Sequence, residues 1–155
     1  MTSQQPKIIS GIDGLKAEVG NHLGYSSYLT ISQERVNLFA EATGDFQWLH
    51  VDVERAKTGP FGGPIAHGYL TLSLGPVLLP EIFAVSGISM GVNYGANKVR
   101  FMSPVPVGAQ LRAGAKLMNV DEIAGGAQVT LEIVFECEGA AKPSCVAEVI
   151  LRYYV

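Results

Sequence analysis

Gly68-Tyr69-Leu70-Thr71-Leu72-Ser73-Leu74-Gly75-Pro76-Val77-Leu78-Leu79-Pro80-Glu81-Ile82-Phe83 is apolar on nearly every side. A helix with no polar face is a buried helix, so this run predicts a long central one that other elements must cover. Pro76 lacks an N–H and its ring clashes with the preceding turn, which predicts a kink near Gly75-Pro76. The run is too short and too interrupted to cross a membrane. Gly68 stands at its head, where backbone N–H groups are unpaired and the helix dipole contributes about half a positive charge. Without a side chain, that position leaves room for a substrate carbonyl to approach the backbone; the plainer alternative is a glycine that only caps or packs the helix.

What covers the helix is written in the C-terminal half. Val129, Leu131, Ile133 and Phe135 alternate with Gln128, Thr130, Glu132 and Glu136, the two-residue period of a half-buried antiparallel strand. Residues 111–120 precede it, with 121–126 as a hairpin loop, and residues 144–155 follow the Lys142-Pro143 turn. Residues 88–94, 98–101 and an early strand over 25–31 complete a sheet of five or six strands. Cys137 and Cys145 flank the turn, have no companions at zinc-like spacing, and are assigned to packing.

Upstream of the central helix lies the polar chemistry. Residues 33–43 read as a helix with Ser32 as N-cap and Gly44 just past its end, so Gly44-Asp45-Phe46-Gln47-Trp48-Leu49-His50 is expected to be a loop. A loop lets a carboxylate and an imidazole five positions apart converge on one water, as proton transfer during addition or loss of water requires. Asp after a helix-ending glycine is also a common turn residue, and a lone histidine is more often structural. Further on, Asp52 caps a short helix over 53–57, Gly59-Pro60-Phe61-Gly62-Gly63-Pro64 forms a connection, and residues 11–19 make a short helix.

The spacing Gly44-Asp45, His50, then Pro64-Ile65-Ala66-His67-Gly68 before an apolar helix resembles the MaoC-like (R)-specific enoyl-CoA hydratases, which have the hot-dog fold. Gly59-Pro60-Phe61-Gly62, Val92-Asn93-Tyr94-Gly95 and Asn97-Lys98-Val99-Arg100-Phe101 resemble its single-domain actinobacterial and nodulation-protein-N-like branch. The likeness runs from about Leu23 to the C-terminus. It implies an α+β hot-dog domain, an antiparallel sheet wrapped around the long central helix, over residues 10–155, with residues 1–9 as a flexible N-terminus. It also implies a hydro-lyase acting reversibly on trans-2-enoyl thioesters of CoA or an acyl carrier, with no metal and no cofactor beyond the substrate's CoA. The roles it carries over are Asp45 and His50 as acid and base, with His50 favoured as base, and Gly68 N–H as the thioester-oxygen donor. Gln47 would orient the loop or the water, and Asn93 and Tyr94 are candidate pocket-lining residues whose plainer reading is an ordinary strand end. The family pattern has Asn-Pro where this chain has Gln47-Trp48, so Trp48 either narrows the acyl pocket or packs under the Tyr69 helix. His67 reads as structural and His22 belongs to no motif. A thioesterase and a non-catalytic acyl-thioester binder remain open on the same fold.

Bulk properties fit either enzyme or binder. A chain of 155 residues accommodates one sizeable core, and a net charge of −3 with no Lys/Arg cluster excludes a dedicated nucleic-acid surface. Hydrophobic content of 48% with a mean hydropathy of +0.24 predicts apolar surface beyond what one copy buries, hence a homodimer. The N-terminus lacks a basic-then-apolar signal, and a cytoplasmic protein is expected.

Overall fold

The computed structural model describes residues 5–155. In order the elements are β1 (Lys7–Ser10), α1 (Gly11–Ala17), β2 (His22–Tyr25), β3 (Leu29–Thr30), α2 (Gln33–Thr43), α3 (Trp48–Val51), α4 (Val53–Lys57), α5 (Gly68–Ser73), α6 (Gly75–Ile82), β4 (Phe83–Ser86), β5 (Met90–Phe101), β6 (Gln110–Ile123), β7 (Gly126–Cys137) and β8 (Cys145–Tyr154). The main sheet runs β2-β6-β7-β8-β5, antiparallel throughout, and β3 also pairs with β6. Six strands curved around a buried helical segment make the expected hot-dog arrangement.

The period-2 pattern does what it predicts. Leu111, Ala113, Ala115 and Leu117 of β6, Val129, Leu131, Ile133 and Phe135 of β7, and Cys145 and Ala147 of β8 face inward and are buried. Leu70, Leu74, Leu78 and Ile82 meet them from the helical side in one continuous core. The helical segment itself departs from expectation. It is two helices, α5 and α6, joined at Leu74, rather than one long kinked helix. Pro76 falls in the first turn of α6, where its missing N–H leaves no bond unmade, so the chain restarts a helix instead of bending one. Pro80 lies inside α6, and Phe83, expected to be helical, begins a strand.

Four other boundaries differ. Residues 25–31 are not one strand: the chain leaves the ladder after β2 and rejoins as β3, and the Ser26 hydroxyl accepts from Ala113 N–H across the gap at 2.9 Å. The two strands expected over 88–94 and 98–101 are continuous as β5, whose register slips near Asn93–Gly95 and again near Ala96–Lys98 absorb the irregularity. The hairpin between β6 and β7 needs only Ala124-Gly125, with Gly125 at φ +76°, not a six-residue loop. Finally, residues 7–9, expected within the flexible terminus, belong to β1, which pairs in parallel with β4 in a separate two-stranded sheet. Residues 1–4 of that stretch lie outside the described residues. Among the described residues no helix is long and apolar enough to cross a membrane.

Candidate active site

Gly44 closes α2 as the sequence predicts: its φ is +79° and its N–H donates to Ala40 O at 2.8 Å. At the other end the Ser32 hydroxyl accepts from Arg35 N–H. Asp45 then makes an Asx turn, its Oδ1 accepting from Gln47 N–H at 3.3 Å. The expected loop stops there. Trp48–Val51 wind into the single turn of α3, with His50 N–H donating to Gln47 O and Asp52 N–H to Trp48 O. The correction matters for geometry, because a helical turn turns His50 inward while Asp45 stays exposed.

The second half of the site is pinned from both sides. Ile65 N–H donates to Leu49 O, Ala66 N–H to Val105 O and Val107 N–H to Pro64 O, so residues 64–66 run extended between α3 and the segment before β6. His50 Nδ1–H in turn donates to Ile65 O at 2.7 Å, and the Gln33 side-chain amide donates to His50 O. A carbonyl can only accept, so Nδ1 carries the proton and Nε2 keeps its lone pair. Burial holds His50 below its ordinary value of 6.5; the Ile65 bond opposes this, His67 adds to it, and Asp45 opposes it. His50 is therefore a neutral base at neutral pH.

Gly68 opens α5 next to it. A Cβ there would stand 2.9 Å from the ring of Phe101, so the ring packs where any side chain would sit. His50 and Gly68 share the wall of a cavity of about 290 Å³ with Phe61, Ile65, Phe101 and Val105. Sequence reasoning missed the apolar part of that wall. Phe101 lies in the quoted Asn97–Phe101 motif, but nothing in its spacing says that β5 delivers it to the head of α5.

His67, expected to be structural, is held within the same cluster. It is 3% exposed, its ring stacks on that of His50 at 3.9 Å and 25°, and its Nε2–H donates to the backbone carbonyl of Asp45 at 3.0 Å. One ligand-capable atom each from Asp45, His50 and His67 lies within 4.8 Å of the other two. These residue types can bind a metal. The two imidazole rings are stacked with planes 25° apart, so their in-plane nitrogens lie in near-parallel planes.

The remaining predicted residues lie further from this centre. Gln47 is exposed and contributes its backbone to the Asx turn and to α3. Trp48 is half-buried against Gly59, where a Cβ would stand 2.9 Å from the indole, and beneath the Arg55 guanidinium at 4.4 Å. It packs, but on the connection after α4 and not under Tyr69. Asn93 lines a second, larger groove of about 850 Å³ between α5–α6 and β5, with Tyr69, Leu79, Val92, Leu151 and Tyr153. Tyr94 is exposed, with the Arg152 guanidinium 3.5 Å over its ring, and it lines neither cavity. The cysteines are free thiols; burial pushes Cys145 up to about 11, consistent with packing.

Comparison with known proteins adds three findings. A family described as "MaoC like domain" matches residues 15–135. A 3-hydroxyacyl-thioester dehydratase Z from Mycobacterium tuberculosis is 50% identical over 148 residues, covering 95% of this chain and 98% of that protein, and nodulation protein N from Rhizobium leguminosarum bv. viciae is 40% identical over 138 residues, covering 84% and 83%. Among solved structures, an (R)-hydratase from A. caviae involved in PHA biosynthesis superposes with a TM-score of 0.71 at 28% identity, covering 86% of this chain and 95% of that one.

Proposed function

The chain belongs to the MaoC-like domain family, and from that premise we propose that it is an (R)-specific hydratase/dehydratase of 3-hydroxyacyl and trans-2-enoyl thioesters with Asp45, His50 and Gly68 as its machinery. The observation that carries the assignment is that His50 shares a cavity wall with Gly68 while its Nδ1 is committed to Ile65 O, which leaves Nε2 as the one nitrogen free for chemistry.

In the hydration direction a water lies between the Asp45 carboxyl and His50 Nε2. His50 Nε2 takes a proton from it as the oxygen adds to C3, the electrons of the C2–C3 double bond shift toward the thioester, and the carbonyl oxygen becomes enolate-like. Gly68 N–H, unpaired in the first turn of α5, donates to that oxygen; one such donor is typically worth roughly 3 kcal/mol, about a hundredfold in rate. The proton that His50 has taken passes to the Asp45 carboxylate, which delivers it to C2, so the water's oxygen ends on C3, its proton on C2, and both groups end as they began. Dehydration is the same path reversed. Acid and base acting from one side of the substrate make the addition stereospecific.

The thioester carrier is CoA or an acyl carrier protein, and the working unit is a homodimer. The support is β5: it pairs with β8 along one edge, no strand covers the other among the described residues, and Met90, Val92, Tyr94 and Phe101 are exposed along it. A second copy pairing there would close both edges.

The test is to follow the enoyl-thioester absorbance of crotonyl-CoA with purified protein and to resolve the product on a chiral phase. Loss of the band with formation of the (R)-3-hydroxy thioester is expected. Release of free thiol, or binding without turnover, would replace this reading with the thioesterase or the binder.

A further inference from the structure

His67 has no part in the chemistry just described, yet it is built into it more tightly than a cap requires. Its Nε2–H is committed to the Asp45 carbonyl, and Nδ1 is buried with no partner among the described residues. A buried acceptor left unpaired is destabilising, and a position needing only shape or only a donor would avoid it. Phenylalanine would supply the stack and glutamine the donor.

We infer that His67 is a positioning residue for this site: by holding the Asp45 carbonyl and stacking on His50, it couples the acid, the base and the oxyanion donor into one rigid unit. The bond to Asp45 O spans 22 residues and ties the Asx turn to the residue that immediately precedes Gly68. The stack fixes the plane of the His50 ring, and the Ile65 bond fixes its rotation in that plane. With two contacts at right angles in function, Nε2 has one direction left. The elements packed against His67 present Phe39 from α2, with ring centroids 4.9 Å apart, Asp45 from the Asx turn and His50 from α3; the last two are the titratable groups it meets there. A proton on either imidazole repels one on the other across 3.9 Å, so His67 also helps keep the base uncharged.

This inference rests on the hydratase reading, so its test carries one readout that needs no turnover. In His67→Gln the donor survives while the ring is lost; in His67→Phe the ring survives while the donor is lost. NMR titration of labelled histidines should show His50 protonating at higher pH in both variants than in the wild type. With crotonyl-CoA, kcat should fall about tenfold or more with KM within about twofold, and the acid limb of the pH profile should move to higher pH. If the wild type turns over no enoyl thioester, the hydratase reading fails, and the NMR shift alone decides the role of His67. An unchanged His50 titration in folded His67→Gln would overturn the inference, as would a kcat loss explained entirely by a lower urea midpoint.

Discussion

His50 shows how a single buried group sets pH behaviour. Its folded pKa lies below 6.5, so between that value and 6.5 the unfolded chain binds the extra proton and the folded one does not. Stability and kcat/KM should therefore both hold above about pH 6.5 and fall together as pH drops through the His50 value. Urea midpoints and initial rates across pH 4.5–8 check this; a profile flat in that window would contradict it. Trp48 supplies a second prediction at this scale. Because the indole packs on Gly59 beneath Arg55, Trp48→Ala should cost toward the lower end of the roughly 3–5 kcal/mol typical of buried aromatics and leave the chain-length profile unchanged. A shift toward longer enoyl thioesters would show the ring in the pocket. The nearness of Asp45, His50 and Gly68 was legible because acid, imidazole and helix-opening glycine stand at short, fixed spacing; their roles remain the proposal. His67 was not, since its importance comes from a ring stack and a carbonyl 22 residues away, and spacing does not encode either.

Elements built on periodicity were readable, and elements built on tertiary pairing were not. The alternation in β7 is local, so its inward face could be named residue by residue; α2 and α4 were bounded by their caps, Ser32 with Gly44 and Asp52. β1 and β4 are four residues each, below the length at which any period shows, and they exist because they pair with each other. The break at Leu74 was half legible. Pro76 announces a discontinuity, but whether the chain kinks or restarts depends on which turn the proline occupies. The two helices still share one core, which gives the prediction at this scale. Leu78→Ala, at a site 1% exposed, should cost about 2–5 kcal/mol in a urea melt while leaving kcat per folded molecule within about twofold, because α6 lies away from His50 and Gly68. A large kcat loss at unchanged stability would instead make α6 part of the site.

At the scale of the molecule, exposed apolar side chains gather along β5 and the groove beside it, where Val92 and Tyr69 are exposed. Light scattering at micromolar concentration should return twice the chain mass; a fully active monomer would remove the dimer from this account. The fold brings His50 of α3 and the head of α5 to one cavity, with the Asp45 carboxylate within 4.8 Å of the His50 imidazole beside it. The most direct test of that claim is a four-way comparison of the wild type, Asp45→Asn, His50→Ala and the double variant in crotonyl-CoA hydration. Each single change should lower kcat by ~10²-fold or more with an intact fold, and the double should be no worse than the slower single, because both groups act on one water. Independent, multiplying losses, or singles that keep wild-type rates, would contradict it.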